Sequence, residues 1–180
     1  FPGDVDVAIV GAGYTGLWSA LALATIDPTI RIAVVEANEV GFGASGRNGG
    51  WCSALLPIGL DALAARHGRA AATALQRAMF SAVADVVDLD TVADPDDQLG
   101  IAHGGTITLA RSPRQLDQLR AEQSTAASYG IADDDLRLLD ATAATAMCNA
   151  THVLGGLFTP QCAAVHPLRL VRAVADASRD

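Results

Sequence analysis

A glycine pattern, G-x-G-x-x-G, constrains this chain more than any other feature of its 180 residues. It directly follows an apolar, β-branched stretch over residues 5–10, which predicts a buried parallel strand, and a helical pattern follows over 14–26. A second apolar stretch, 31–35, ends in Glu36, which lies 20 positions after Gly16. Strand, helix and strand with these glycines and this acidic residue form the complete fingerprint of a βαβ unit that binds a dinucleotide.

Each residue of the fingerprint has a physical reason. Gly11 permits the tight turn out of the strand, Gly13 lets the backbone approach a pyrophosphate, and Gly16 lets the helix pack closely on the strand. The phosphates of such a ligand lie at the helix N-terminus, where free N–H groups and the helix dipole favour an anion. Glu36 can accept hydrogen bonds from both hydroxyls of an adenosine ribose, and its charge disfavours the 2′-phosphate of NADP. The fingerprint does not distinguish FAD from NAD.

A second glycine cluster favours FAD. Residues 41–50 hold five glycines and follow the acidic strand end closely, so we expect an ordered loop near the same pyrophosphate. Ser45 and Asn48 can hydrogen-bond phosphate or ribityl oxygens, and Arg47 can neutralise phosphate charge. An NAD-binding protein has no evident need for this loop, whereas a longer flavin cofactor must be held beyond its pyrophosphate.

With these motifs the chain resembles a known family. V-G-A-G-Y-T-G, the acidic Glu36 and G-A-S-G-R-N-G-G-W are similar to motifs of the FAD-dependent oxidoreductases of the D-amino-acid oxidase and glycine oxidase family, and most of all to its γ-glutamylputrescine oxidase-like subgroup. The segments 104–110 and 166–168 also match the layout of that family. The resemblance covers nearly the whole chain, but the specific motifs lie in the first fifty residues.

The resemblance implies a flavoenzyme that oxidises the C–N bond of an amine or amino acid by hydride transfer to flavin N5, followed by imine hydrolysis. Its substrate is a small molecule. The resemblance identifies no catalytic acid or base among the residues of this chain. The residues that it places on FAD are Gly11, Ala12, Gly13, Tyr14, Thr15 and Gly16 at the pyrophosphate, Glu36 and Ala37 at the adenosine ribose, and Ala44, Ser45, Gly46, Arg47, Asn48, Gly49 and Gly50 at the phosphates and toward the flavin ring.

The predicted fold class is α/β: a Rossmann-like FAD-binding βαβ unit with an α+β insertion that belongs to a substrate-binding (cap) domain. Two parallel strands alone do not complete a doubly wound sheet, so we expect a fragment of a longer two-domain fold, which by itself binds FAD weakly and is inactive. The predicted segments are 1–58 for the FAD domain, 59–90 for its helical segment, 91–164 for the cap domain and 165–180 for a helix that returns to the FAD domain.

Local patterns predict further elements after the glycine cluster. They are helices at 59–66 and 68–88, a hairpin of 101–103 with 106–110 around Gly104-Gly105, a helix from the Ser112-Pro113 cap to 128, a short helix from the Asp140 cap to about Asn149, a strand at 153–159, and a helix from His166-Pro167 to Ser178. Leu168, Val171, Val174 and Ala175 share a face of the last helix, which predicts packing on a sheet.

Charge and cysteine content exclude other classes of protein. The net charge is −8, with twelve arginines and no lysine, which argues against nucleic-acid binding. The sequence contains no stretch of 18 or more apolar residues, so it predicts no transmembrane helix. Three widely spaced cysteines and four scattered histidines predict neither disulfides nor a metal site, and the cytoplasm is the simplest compartment. We expect the acidic cluster at 94–97 to be a solvated turn.

Two alternatives stay open. One is an NAD-linked dehydrogenase, and the other is a non-catalytic nucleotide-binding module of the same fold. The sequence indicates neither the substrate, nor the electron acceptor, nor whether the flavin is covalently attached, nor the oligomeric state.

Overall fold

The computed structural model of the protein describes residues 3–92 and 99–179, and of residues 90–92 it describes the backbone alone. The predicted turn at 94–97 lies outside these ranges. The elements in chain order are β1 (Val7–Val10), α1 (Tyr14–Ile26), β2 (Ile32–Val35), a 3₁₀ helix (Ala44–Gly46), β3 (Trp51–Ser53), α2 (Leu60–His67), α3 (Arg69–Val92), β4 (Thr106–Ala110), α4 (Pro113–Ser128), β5 (Arg137–Asp140), α5 (Ala141–Met147), β6 (Gly155–Thr159), β7 (Cys162–Ala164) and α6 (Pro167–Ala177).

The chain forms two compact units. The first takes the described residues of Phe1–Trp51, Ala93–Ile101 and Val165–Asp180, and the second takes Cys52–Val92 and Ala102–Ala164. The helices α2 and α3 therefore lie in the second unit, together with the strands that follow them. Their assignment to the FAD domain of the whole protein stays a prediction.

The first unit is built around the predicted βαβ arrangement. β1 and β2 pair in parallel, with Val7 opposite Ile32 and Val10 opposite Val35, and α1 has the predicted bounds. The prediction that the first strand is buried is wrong in one respect: burial alternates along β1, and Val10 is 90% exposed. Among the described residues only one face of this strand is covered, by α1, because Ile9 faces Gly16 of that helix.

The helix α6 completes the core of the first unit. It begins as predicted, with Pro167 in its first turn and Nδ1 of His166 accepting a hydrogen bond from the Arg169 N–H at 3.3 Å. Val171 and Val174 on its apolar face are fully buried. Its main partners within the unit are α1 and the 3₁₀ helix, rather than the sheet that the sequence led us to expect.

The second unit contains an antiparallel three-stranded sheet in the order β4-β6-β5 and the four helices α2 to α5. Ala110, Leu119 and Leu157 form one apolar cluster between this sheet and α4, and Leu63, Ala72 and Tyr129 form another. The predicted caps are present, because Ser112 Oγ accepts from the Gln115 N–H and Asp140 Oδ1 accepts from the Ala143 N–H. The helix α5 ends at Met147, two residues before the predicted end.

The predicted hairpin around Gly104-Gly105 is wrong. β4 pairs with β6, whereas Ala102 forms a bridge with Ala164 in the β7 segment. The Gly105 N–H donates to the carbonyl oxygen of Cys162, and a Cβ on Gly105 would lie 2.7 Å from the Phe158 ring. The two glycines therefore carry the chain past β6 instead of reversing it. The short strands β3, β5 and β7 were not predicted.

Candidate nucleotide-binding site

The turn between β1 and α1 has the geometry that its glycines predict. Gly11 has a φ of +101°, a Cβ there would meet open space, and its N–H donates to the Val35 carbonyl oxygen at 2.7 Å. A Cβ on Gly16 would overlap the Gly11 carbonyl oxygen and lie 3.1 Å from Ile9 Cγ2. Close packing of the helix on the strand therefore requires glycine at position 16, as predicted.

Some N–H groups at the start of α1 donate hydrogen bonds to protein acceptors, and others do not. The Ala12 N–H donates to Glu36 Oε2, and the Tyr14 N–H donates to Ser45 Oγ, both at 2.9 Å. Within the described residues, the N–H groups of Gly13 and Thr15 donate to no protein acceptor. Because they lie at the positive end of the helix dipole, these two groups are the N–H donors best placed for a phosphate.

Glu36 lies where β2 ends and connects that end to the glycine turn. Besides the Ala12 N–H, its carboxylate accepts the Asn38 N–H at 3.1 Å. These two backbone hydrogen bonds hold the pKa of Glu36 below its usual value, so the side chain is anionic at neutral pH. Each carboxylate oxygen keeps a further lone pair, and the side chain is only half-buried, so ligand hydroxyls can donate to it. Ala37, which follows, is exposed.

The glycine-rich loop 41–50 is held in shape by its own side chains. Asn48 Nδ2 donates to the carbonyl oxygens of Ala44 and Ser45, at 3.2 and 3.0 Å, and its Oδ1 accepts the Gly50 N–H at 2.8 Å. The amide of Asn48 is therefore engaged within the loop, and its contact with a ligand stays a prediction. The exposed Arg47 places its guanidinium over the Phe42 ring, 4.3 Å from the centroid.

The helix α6 supports this loop, which the sequence did not predict. A Cβ on Gly46 would lie 3.3 Å from Leu168 Cδ1, and one on Gly41 would overlap Val171 Cγ1. The Tyr14 hydroxyl donates to the Pro167 carbonyl oxygen at 3.0 Å. The apolar face of α6 was visible in the sequence, but its partner was not, because the loop lies more than 110 residues earlier in the chain.

The glycines of the loop fall into two groups. Gly41, Gly46 and Gly50 lie against other protein atoms, whereas a Cβ on Gly43 or Gly49 would meet nothing within 4 Å. The open backbone at Gly11, Gly43 and Gly49 and the anionic Glu36 lie in the same unit as the unpaired N–H groups of α1. The unit thus offers N–H donors for phosphate, a carboxylate for sugar hydroxyls and backbone that a ligand can approach closely.

The chain belongs to the FAD dependent oxidoreductase family, since the model of that family matches residues 6–180. Among curated relatives, the gamma-glutamylputrescine oxidoreductase of Escherichia coli is 33% identical over 174 residues, which cover 97% of this chain and 39% of that protein. A probable oxidoreductase, OrdL, of Haemophilus influenzae is 30% identical over 176 residues, again covering 97% of this chain and 39% of the relative. The chain thus spans about two fifths of the length of these relatives.

Solved structures show the same fold. Glycine oxidase from Bacillus cereus superposes with a TM-score of 0.66 at 19% identity and covers 98% of this chain and 44% of that one. L-amino acid deaminase from Proteus vulgaris superposes with a TM-score of 0.72 at 14% identity and covers 99% and 43%. The predicted α/β class and the family resemblance are confirmed.

The cofactor prediction is also confirmed, because the family is FAD dependent. The residues of the first unit fit FAD: open N–H groups at the start of α1 suit its pyrophosphate, and Glu36 suits its ribose. In residues 3–92 and 99–179, no group of three or more His, Cys, Asp and Glu side chains could hold a metal ion. No helix within these same ranges has the length and apolar character needed to cross a membrane.

Proposed function

We propose that this chain is the cofactor-binding part of an enzyme that oxidises the C–N bond of an amine or amino acid. The family match over residues 6–180 carries the proposal. The names of its relatives support the amine or amino-acid class of substrate, since one is a gamma-glutamylputrescine oxidoreductase and structural neighbours include a glycine oxidase and L-amino acid deaminases. FAD, when bound, supplies the hydride acceptor at N5, and water then hydrolyses the imine product.

The residues of this chain bind and orient the cofactor in this proposal. The Gly13 and Thr15 N–H groups hold the pyrophosphate, and Glu36 accepts hydrogen bonds from the adenosine ribose. Ser45 and Asn48 fix the shape of the second loop, since the first binds the Tyr14 N–H and the second binds three backbone groups of the loop. Arg47, exposed on the Phe42 ring, supplies positive charge near the phosphates.

The proposal is tested with the protein expressed from its complete gene. The purified protein is mixed without oxygen with a panel of primary amines, secondary amines and amino acids, and the absorbance of oxidised flavin is followed. We expect at least one of these compounds to bleach the flavin, and the hydroxy acid of the same carbon skeleton to leave it oxidised. A flavin that every amine and amino acid leaves oxidised, but that a hydroxy acid or NADH reduces, would refute the proposed class of substrate.

A further inference from the structure

One apolar side chain of α6 packs against both ends of the segment 41–46, the first half of the glycine-rich loop. Leu168 Cδ1 lies 3.5 Å from the position of a Cβ on Gly41 and 3.3 Å from that of a Cβ on Gly46. The two glycines also pack on each other, because a Cβ on Gly46 would overlap the Gly41 carbonyl oxygen. Val171, about one turn further along α6, lies against Gly41 as well. The place of this segment in the first unit therefore depends on α6.

The same segment is attached to the glycine turn that begins α1. The Gly41 N–H donates to the Ala12 carbonyl oxygen at 3.0 Å, and Ser45 Oγ accepts the Tyr14 N–H at 2.9 Å. A Cβ on Gly13 would lie 2.9 Å from that Ser45 Oγ. The segment thus contacts the backbone on both sides of the Gly13 N–H, which is one of the two donors proposed for the pyrophosphate.

The start of α6 is connected to the cofactor backbone at two further places. The Tyr14 hydroxyl donates to the Pro167 carbonyl oxygen at 3.0 Å, so the residue whose N–H binds Ser45 is also attached to α6. At the other end of the loop, the Val165 N–H donates to the Gly50 carbonyl oxygen at 2.8 Å. All of these groups belong to the first unit, and they form one continuous set of contacts from α6 to the glycine turn.

We propose that Leu168 is a positioning residue for FAD. Its side chain has no polar atom, so it acts on the cofactor only through the backbone that it packs against. By holding the segment 41–46 in place, it keeps the N–H donors of the glycine turn in the geometry that binds a pyrophosphate. Such donors bind well only within a narrow range of distance and angle, and their preorganisation raises affinity. The proposal rests on FAD as the cofactor of the proposed function, but not on the oxidation.

The coupling between α6 and the cofactor must act in both directions. If the packing of α6 on the loop raises the affinity for FAD, bound FAD stabilises that packing by the same free energy. The backbone amides of α6 should therefore open less often when FAD is bound, although Leu168 itself touches no part of the cofactor in this proposal.

Two leucines of α6 test the proposal by titration of FAD into the cofactor-free protein expressed from its complete gene, at a temperature where each variant is folded. Leu168→Ala removes the side chain that packs against Gly41 and Gly46, and we expect FAD to bind about tenfold more weakly. Leu168→Met, which nearly keeps the volume, should restore affinity to within about twofold of the wild type.

Leu170→Ala is the matched control. Leu170 is 4% exposed, and the helical period directs it about 200° around the axis of α6 from Leu168. We expect Leu170→Ala to lower the unfolding midpoint, since it leaves a cavity in the core, but to bind FAD within about twofold of the wild type. A role of Leu168 in stability alone would instead give the two alanine variants the same affinity for FAD.

Amide hydrogen exchange of the wild-type protein supplies a second measurement, which does not depend on the folding of a variant. We expect FAD to slow exchange in α6, and to slow it less in Leu168→Ala than in Leu170→Ala. The proposal is overturned if Leu168→Ala binds FAD as the wild type does, if the two alanine variants weaken binding equally, or if FAD leaves exchange in wild-type α6 unchanged. A protein that passes these tests but oxidises no amine or amino acid would refute the proposed function alone.

Discussion

The neighbouring glycines Gly49 and Gly50 of the loop 41–50 have different roles: Gly50 is needed for the packing of the loop, and Gly49 leaves backbone open to the cofactor. Gly50 has a φ of +71°, and a Cβ there would overlap the carbonyl oxygen of Val165. The Val165 N–H donates to the Gly50 carbonyl oxygen at 2.8 Å, which holds the two residues together. A Cβ on Gly49 meets nothing within 4 Å, and its φ lies outside the left-handed region. Substitution by alanine should therefore lower the stability at position 50 and leave it unchanged at position 49.

The expected cost of Gly50→Ala follows from these two features. Left-handed backbone destabilises alanine by about 1–2 kcal/mol relative to glycine, and forced overlap in a packed region adds about 1–3 kcal/mol. The sum, about 2–5 kcal/mol, corresponds to a fall in the unfolding midpoint of about 4–20 °C where a domain of about 150–250 residues unfolds as one unit. Gly49→Ala lacks both terms, so we expect its midpoint to change by less than about 2 °C.

The two variants are made in the protein expressed from its complete gene; thermal unfolding is measured on the cofactor-free protein, and FAD is titrated separately. We expect Gly50→Ala to unfold at lower temperature, and Gly49→Ala to unfold at the wild-type temperature while binding FAD more weakly, because its methyl group occupies backbone surface left open for the ligand. Equal midpoints for the two variants would refute the division of the loop glycines. Wild-type FAD affinity in Gly49→Ala would show that position 49 does not face the cofactor.

Three further expectations concern single contacts. Hydrogen bonds from Arg31 hold the pKa of Asp6 at about 2, so the stability that Asp6 contributes is present above about pH 4 and is lost as the pH falls toward 2. In Arg31→Gln, the pKa of Asp6 should return toward its ordinary value, which a carboxyl NMR titration measures. Asp140→Ala removes the cap of α5 and should lower the free energy of unfolding by about 1 kcal/mol in urea titration, and an unchanged midpoint would contradict the cap. Tyr14→Phe removes the hydrogen bond to Pro167 and should speed amide exchange in α6 while leaving that in α4 unchanged.

Local sequence signals predicted the structure where the stabilising contact is itself local. The bounds of α1 and the caps at Ser112 and Asp140 were predicted because apolar spacing and capping act within a few residues. The predicted hairpin at Gly104-Gly105 was wrong, because two consecutive glycines allow the chain either to reverse or to continue, and the choice depends on pairing with β6, about 50 residues later. The short strands β3, β5 and β7 have too few residues for a period to be recognised.

The candidate nucleotide-binding site shows the same difference between local and distant contacts. The fingerprint identified the positions of Gly11, Gly16 and Glu36 because the backbone geometry of a βαβ unit fixes them. It did not predict that Ser45 would bind the Tyr14 N–H, because that contact joins residues 31 positions apart. Nor did it predict that Asn48 would be engaged inside its own loop, since an amide in a glycine-rich segment serves equally well for a turn or for a ligand.

The contact between Glu36 and FAD provides the most direct test, by titration of FAD into the cofactor-free protein expressed from its complete gene. Glu36→Gln keeps an acceptor for the Ala12 N–H but removes the charge offered to the ribose hydroxyls, so we expect FAD to bind about tenfold more weakly. Glu39→Gln, an exposed neighbour three residues later, should bind FAD as the wild type does. Equal affinity for FAD in wild type and Glu36→Gln, or a wild-type protein that binds NAD and no FAD, would contradict the assignment of this site.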